Sequence, residues 1–156
     1  MATEIERKFL IKDMSWKELA DEGTHYSQGY LVGSKHASVR VRIQGKRAFL
    51  NIKSATIDIT RQEFEYEIPL TEATEMLETL CEKPLIDKTR YHLKNENHVW
   101  EVDVFSGDNE GLIVAEIELS DKDEVFEKPD WLGDEVSDDD RYYNVCLVKH
   151  PFKDWS

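Results

Sequence analysis

The chain has 156 residues, 40% of them hydrophobic and 34% charged, with a formal net charge of −13. That length fits one domain over residues 1–156, able to bury roughly two thirds of its unfolded surface without an internal linker. The acid excess argues against a nucleic-acid binder or a protein drawn to anionic membranes, since both usually carry a basic footprint.

Thr3 to Leu10 reads as a strand that places Glu4, Glu6 and Lys8 on one face and Ile5, Arg7 and Phe9 on the other. Met14 to Glu22, apolar at Met14, Trp16, Leu19 and Ala20 with Ser15 as cap, suits a short helix. Strands follow at His25 to Val32 and, after a turn of Gly33, Ser34 and Lys35, at Ala37 to Gln44. Gln44-Gly45-Lys46 reads as a tight hairpin connection into a strand from Arg47 to Ser54, and a fifth strand runs from Thr60 to Leu70. Thr71 to Cys81 is the clearest helix, with Thr71 as its N-cap and Met76, Leu77 and Leu80 as its apolar stripe, and Pro84 closes the segment. Strands at Ile86 to Leu93 and His98 to Phe105 flank the polar turn Lys94-Asn95-Glu96-Asn97. Gly107 to Gly111 is a loop, Leu112 to Leu119 an eighth strand, and Ser120 caps a short acidic helix from Asp121 to Phe126. Trp131 to Ser156 reads as irregular or helical, with a solvated acidic run from Asp134 to Asp140.

Charge recurs with period two in nearly every strand: Arg40 and Arg42, Asn51 and Lys53, Glu63, Glu65 and Glu67, Lys88 and Arg90, Glu101 and Asp103, Glu116 and Glu118. The residues between them are largely apolar, so each strand has one apolar and one charged face. A sandwich would turn the charges out to water. The amphipathic helices and the aromatic residues Trp131, Tyr142, Tyr143, Phe152 and Trp155 need an apolar surface to cover, however, and that favours the opposite arrangement. The expected fold is mainly β (α+β): a closed eight-stranded antiparallel β-barrel tunnel with a charged interior and helices packed outside, roomy enough for one small ligand.

That lining holds nine acids, Glu4, Glu6, Glu63, Glu65, Glu67, Glu101, Asp103, Glu116 and Glu118, against six bases, Lys8, Arg40, Arg42, Lys53, Lys88 and Arg90. Enclosing so many ions dry costs several kcal/mol for each unpaired one, so the interior must be wet and must bind something. Arginines and lysines on several strands suit an extended phosphate chain. Glutamate pairs suit a hard divalent cation, Mg2+ or Mn2+, which would bridge the two halves of the lining.

Little else in the sequence points to chemistry. Cys81 and Cys146 match no metal or redox spacing, and the five histidines form no zinc pattern. There is no phosphate loop, dinucleotide glycine pattern or nucleophile elbow. Without a signal peptide or a long apolar run, a soluble cytoplasmic protein is expected, with no membrane or nucleic-acid partner.

Eight ordered segments resemble the CYTH domain, or triphosphate tunnel metalloenzyme, superfamily: Glu-Ile-Glu-Arg-Lys at Glu4 to Lys8, Arg-Val-Arg at Arg40 to Arg42, Asn-Ile-Lys ending at Lys53, Arg-Gln-Glu-Phe-Glu at Arg61 to Glu65, Asp-Lys-Thr-Arg-Tyr at Asp87 to Tyr91, Glu-Val-Asp-Val-Phe at Glu101 to Phe105, Ala-Glu-Ile-Glu-Leu at Ala115 to Leu119, and Arg-Tyr-Tyr-Asn at Arg141 to Asn144. The resemblance implies a tunnel that binds a triphosphate and a divalent metal. It implies phosphate contacts from Lys8, Arg40, Arg42, Lys53, Lys88, Arg90 and Arg141, and metal ligation by Glu4, Glu6, Glu116 and Glu118. Glu63, Glu65 and Asp103 are further ligands or water-positioning groups, or else pair with neighbouring cations. Tyr30 matches a tyrosine that in some members pairs with the signature lysine, so Lys8 and Tyr30 form a candidate catalytic dyad, with Lys88 stabilising charge on the phosphate.

The short chain and the fit to compact bacterial members favour hydrolysis of inorganic tripolyphosphate, a small-molecule substrate. The alternatives are a nucleoside or thiamine triphosphatase, a class IV adenylate cyclase, or a polyphosphate-binding module without turnover. Cyclases of this type usually carry a His-Phe pair ahead of the glutamates, where this chain has Met1, Ala2 and Thr3. Monomer and homodimer both remain open.

Overall fold

The computed structural model describes residues 3–34, 36–54 and 59–155, so Lys35 of the expected turn lies outside them. Along the chain run β1 (Thr3–Ile11), a 3-10 turn (Ser15–Leu19), β2 (Thr24–Gly33), β3 (Ala37–Gln44), β4 (Arg47–Ser54) and β5 (Thr60–Ile68). Helix α1 (Leu70–Thr79) precedes β6 (Ile86–Asn95), β7 (His98–Phe105) and β8 (Ile113–Leu119). A short β9 (Leu132–Glu135) and helix α2 (Asn144–Lys149) follow.

Eight strands close the barrel. Every neighbouring pair in the order β5-β4-β3-β2-β6-β7-β8-β1 is antiparallel, and β1 returns to β5 through Thr3↔Gln62, Glu4↔Arg61 and Ile5↔Thr60. The hairpin between β3 and β4 turns on Gly45 at φ 61°, a conformation that costs glycine nothing.

Closure against β5 covers only the first residues of β1. Beyond it, β9 takes over the same edge, with Phe9 opposite Glu135 and Ile11 opposite Leu132, and Val136 N–H donates to the Lys8 carbonyl. This ninth strand corrects the expectation of an irregular or helical C-terminal segment. Four residues, Leu-Gly-Asp-Glu, are too few to show a period, and it is the free backbone of β1 that makes them a strand.

Three helical expectations also need correction. Met14 to Glu22 forms only the 3-10 turn, and Ser15 sits inside it with its hydroxyl on Asp13 Oδ1 at 2.6 Å. Helix α1 starts one residue before Thr71, with Pro69 at the N-cap position and no side-chain cap. Asp121 to Phe126 is not helical, because Glu124 instead accepts from the Ser120 N–H at 2.6 Å and pairs with His98 at 2.5 Å.

The apolar strand faces do point outward, under cover. Phe9, Leu93, Trp100, Val102, Ala115 and Ile117 pack with Trp16 of the 3-10 turn and with Trp131 and Leu132. On the other side Val41 and Ala48 are covered by Ala73 and Leu77 of α1. Gly29 permits this approach, since a Cβ there would lie 2.8 Å from Cys81 Cβ. Among the described residues, no helix is long and apolar enough to cross a membrane.

The inner faces are not charged throughout. Where β2 and β7 finish and β6 and β8 begin, Tyr30, Ile86, Phe105, Leu112 and Val114 form a buried cluster with Leu147 and Val148 of α2. Ile86 shares its strand face with Lys88 and Arg90, and Val114 with Glu116, so an apolar plug shuts this end of the barrel.

Trp100 is fully buried on the outer face whereas Leu80 is 64% exposed. Trp100→Ala is expected to cost about 3–5 kcal/mol in urea unfolding, and Leu80→Ala to leave the midpoint nearly unchanged. The reverse ranking would contradict an outward-facing core.

Candidate active site

Seven carboxylates and seven cations line a cavity of about 610 Å³ inside the barrel. The carboxylates are Glu4, Glu6, Glu63, Glu65, Glu101, Glu116 and Glu118, and the cations are Lys8, Arg40, Arg42, Lys53, Arg61, Lys88 and Arg90. The lining is thus balanced although the chain as a whole carries −13.

Cross-strand register creates most of the pairs. Lys8 stands opposite Glu116 and is ion-paired with it, and Glu6 lies 3.9 Å from the same ammonium. Asp103, opposite Arg90, accepts from its Nε at 2.7 Å and its Nη2 at 2.8 Å, and from Lys88 at 2.8 Å. Arg90 reaches on to Glu116 at 2.8 Å and Glu101 at 3.3 Å. Lys53 bridges Glu4 at 2.9 Å and Glu63 at 3.6 Å, and Arg42 holds Glu65 at 2.5 Å. Asn51, fully buried, donates to Glu63 at 3.1 Å.

Aromatic rings occupy the faces of these cations. The Tyr26 ring lies 5.1 Å from the Arg90 guanidinium and 5.7 Å from both Arg42 and Lys88, and the Tyr143 ring lies 4.9 Å from Lys8 and 5.5 Å from Arg61. Burial raises both phenols, so they stay neutral.

The acids fall into two electrostatic groups. Burial works against the charged form of Glu116, yet Lys8, Arg90 and Lys88 hold its carboxyl well below the usual range, and Arg90 and Lys88 do the same for Asp103 to a lesser degree. Glu6 is raised by burial and by the nearby Glu116 carboxylate. Glu118, opposite Glu6 across β1 and β8, is raised by burial and by Glu4 and Glu6, and Glu4 by burial and its hydrogen bond to Glu63. Glu4, Glu6 and Glu118 therefore lack sufficient counter-charge.

The cations divide in the same way. Burial works against the Lys8 ammonium, yet Glu116 and Glu6 leave it raised, while burial beside the plug pushes Lys88 down to about 8 despite Asp103. Among the described residues, Arg40 makes no hydrogen bond or ion pair, and Arg61 bonds only the Ser54 carbonyl at 3.4 Å besides its ring contact. Neither has a carboxylate within ion-pair distance among the described residues.

The oxygen-only donors Glu4, Glu6 and Glu118, whose negative charge is only partly compensated, fit a hard divalent cation. Among the described residues no three acids converge closely enough to hold an ion unaided. That suits a metal held by one or two carboxylates together with phosphate oxygens.

Most of the expected site residues meet in this cavity, with three differences. Asp103 lies beneath the lining, 2% exposed, as the anchor of Lys88 and Arg90. Arg141 is outside it, bonded to Asp139 at 2.6 Å and lying 4.9 Å from the Trp155 ring. Glu67 pairs with exposed Arg47 at 2.8 Å. Tyr30 lines the cavity as part of the plug, and the ring beside Lys8 belongs to Tyr143.

Several lining residues were missed, among them Arg61, Tyr26, Gln28 and Tyr143. Arg61 shares the strand face of Glu63 and Glu65, and Tyr26 and Gln28 share that of Tyr30, so alternation could have found all three. Tyr143 arrives on an irregular segment with no period, fixed by its hydroxyl on the Ser137 carbonyl at 2.8 Å.

The CYTH domain profile matches residues 2–146. A curated relative from Acetivibrio thermocellus, named inorganic triphosphatase, is 51% identical over 155 residues, covering 99% of each chain. Another of that name from Nitrosomonas europaea is 38% identical over 150 residues, covering 94% of this chain and 97% of the relative. A solved structure described as an inorganic triphosphatase superposes with a TM-score of 0.67 at 35% identity, covering 95% of both chains.

The two groups of acids predict opposite effects on stability. Glu116, held below its unfolded value, contributes stability that is present above the ordinary carboxylate range and lost as pH falls through its folded pKa. Glu6, held above its unfolded value, costs stability at neutral pH and regains it on protonation. In chelator at pH 7, Glu116→Gln should lower stability by about 3–5 kcal/mol, because Lys8 and Arg90 lose a buried partner, while Glu6→Gln should raise the melting temperature. Shifts of the same sign in thermal unfolding would refute this division.

Proposed function

The chain belongs to the CYTH domain family, and from that premise we propose that its tunnel hydrolyses the terminal phosphate of inorganic tripolyphosphate with a divalent cation, Mg2+ or Mn2+. The observation that carries the reading is the paired surplus inside one cavity. Arg40 and Arg61 lack carboxylate partners among the described residues, and Glu4, Glu6 and Glu118 have less counter-charge than their burial calls for, since Lys53 is shared between Glu4 and Glu63 and Lys8 pairs first with Glu116. A metal-bound phosphate chain supplies what each set is missing.

Each residue then has a task. Arg40 and Arg61 take the phosphate oxygens first, since they give up no existing ion pair. Arg42, Lys53, Lys8, Lys88 and Arg90 stay held in place by carboxylates and rings and turn spare donors to the substrate. Lys88 and Arg90, fixed through Asp103, stabilise charge on the reacting phosphate. Lys8 holds a phosphate as an ammonium, and Tyr30 walls the dry end of the cavity. One or two of Glu4, Glu6 and Glu118 would hold the cation together with phosphate oxygens, and it would supply charge neutralisation there when bound. Glu116, occupied by Lys8 and Arg90, becomes a further oxygen donor only as those cations turn toward substrate, and Glu63 and Glu65 set the positions of Lys53 and Arg42. Arg141, paired with Asp139 beside the C-terminal aromatics, reaches phosphate only by leaving that partner.

The lining has no extended apolar surface beyond the rings that face its cations, which favours a bare phosphate chain over a base-bearing triphosphate. Orthophosphate release should be strongest on tripolyphosphate against ATP and thiamine triphosphate, and chelator should abolish it. Formation of pyrophosphate with cyclic AMP from ATP, or binding of tripolyphosphate without turnover, would replace this reading. Arg40→Ala should raise KM by about 10–100-fold, the worth of one charge-assisted hydrogen bond, and steady-state kinetics checks it.

A further inference from the structure

Gln28 is a neutral residue in a charged lining. It is 1% exposed, it faces the cavity, and among the described residues neither its Nε2 nor its Oε1 has a hydrogen-bond partner. Strand β2 sets it between Tyr26 and Tyr30, opposite Arg42 on β3 and Ile86 on β6. It therefore stands where the cationic midsection meets the apolar plug. An apolar side chain of the same size would extend the plug without penalty, whereas a buried, unpartnered carboxamide costs free energy. The position keeps a polar group that the fold does not use.

The carboxamide offers one donor and one acceptor function side by side. The charged side chains nearest along its register are cations: Arg42 opposite it, Arg40 opposite Tyr30, and Lys88 opposite Tyr26. A phosphate held by these cations satisfies Nε2, because phosphate oxygens accept. Oxygen Oε1 still needs a donor, and a fully ionised phosphate has none to give. A water beside the phosphate does.

We propose that Gln28 positions the attacking water, its Nε2 donating to an oxygen of the terminal phosphate while its Oε1 accepts from the water. This rests on the triphosphatase reading above. The water oxygen forms the new bond to the terminal phosphorus, and the bridging P–O bond breaks with its electron pair leaving on pyrophosphate. Of the two water protons, one stays on orthophosphate and the other passes to pyrophosphate. A neutral amide suits the task, since it orients water without adding a charge that would repel the phosphate or bind the metal.

The test compares wild type with Gln28→Met, close in shape and apolar, and with Gln28→Asn, which withdraws the carboxamide by one methylene. Three quantities are measured: tripolyphosphate turnover with Mg2+, affinity for the nonhydrolysable imidotriphosphate by calorimetry, and thermal unfolding without ligand. Both variants should lose about 100-fold in kcat, while affinity for imidotriphosphate falls by no more than about 10-fold, the worth of the one hydrogen bond from Nε2. Gln28→Met should also unfold at or above the wild-type temperature, having shed an unpartnered polar group. Wild-type kcat in either variant overturns the inference, as does a loss confined to KM and analogue affinity, which would make Gln28 a binding group only. Should Gln28→Met fail to fold, Gln28→Asn decides between the same outcomes. A wild-type protein that releases no phosphate would instead overturn the function reading itself, so the two failures are distinct.

Discussion

Desolvation of fourteen ionisable side chains within one barrel is the constraint that the rest of the structure answers. A buried ion without a partner costs several kcal/mol, so cations and carboxylates must meet across strand pairs. Asp103 and Glu116 each serve two cations, and Arg90 spans three carboxylates. Tyr26 and Tyr143 fill the guanidinium and ammonium faces that no carboxylate reaches. With the inner face committed to charge, hydrophobic burial had to move outward. The 3-10 turn, α1 and the Trp131 segment then become necessary parts of the fold, because an eight-stranded barrel with bare apolar walls would expose more apolar surface than a soluble domain tolerates.

The C-terminal segment carries more of this burden than its sequence suggests. It completes the edge of β1 through β9, receives the Lys8 N–H on Ser137 Oγ at 2.9 Å, places Tyr143 over Lys8, and shuts one end with α2. The strand that bears the Glu-x-Glu-x-Lys signature is therefore held by β8 on one side and by two unrelated segments on the other. Lys8 is fixed from its backbone as well as its side chain.

Period-two alternation made the barrel legible, because the inside and outside of a strand differ in chemistry at every step. All eight barrel strands lie within two residues of their expected bounds at each end, β3, β4 and β7 without error. What escaped had no period to display. Strand β9 has four residues, Thr71 lost the cap position to Pro69, and Glu124 answers to His98 and Ser120 instead of to a helix. The apolar plug escaped for a different reason. Ile86 and Val114 obey the inward parity of Lys88 and Glu116, but the charged residues alone defined the expected lining, so the tunnel was expected to have a charged interior. Arg141 shows the limit of motif matching, since its position in the chain says nothing of Asp139, two residues away, which takes its guanidinium.

The pairing that stabilises the interior is incomplete in a directed way. Glu4 stands opposite Arg61 across the β1 and β5 closure, so a carboxylate short of cations and a guanidinium short of carboxylates, among the described residues, sit at one strand junction without joining. Phosphate alone would meet the repulsion of Glu4, Glu6 and Glu118, and a divalent cation alone would meet the fields of Arg40 and Arg61. A metal-bound phosphate chain satisfies both sets at once, so each ligand should favour the other's binding, and linkage makes that coupling reciprocal. The stability withheld from the empty barrel is what sets the preference for the complex over either component.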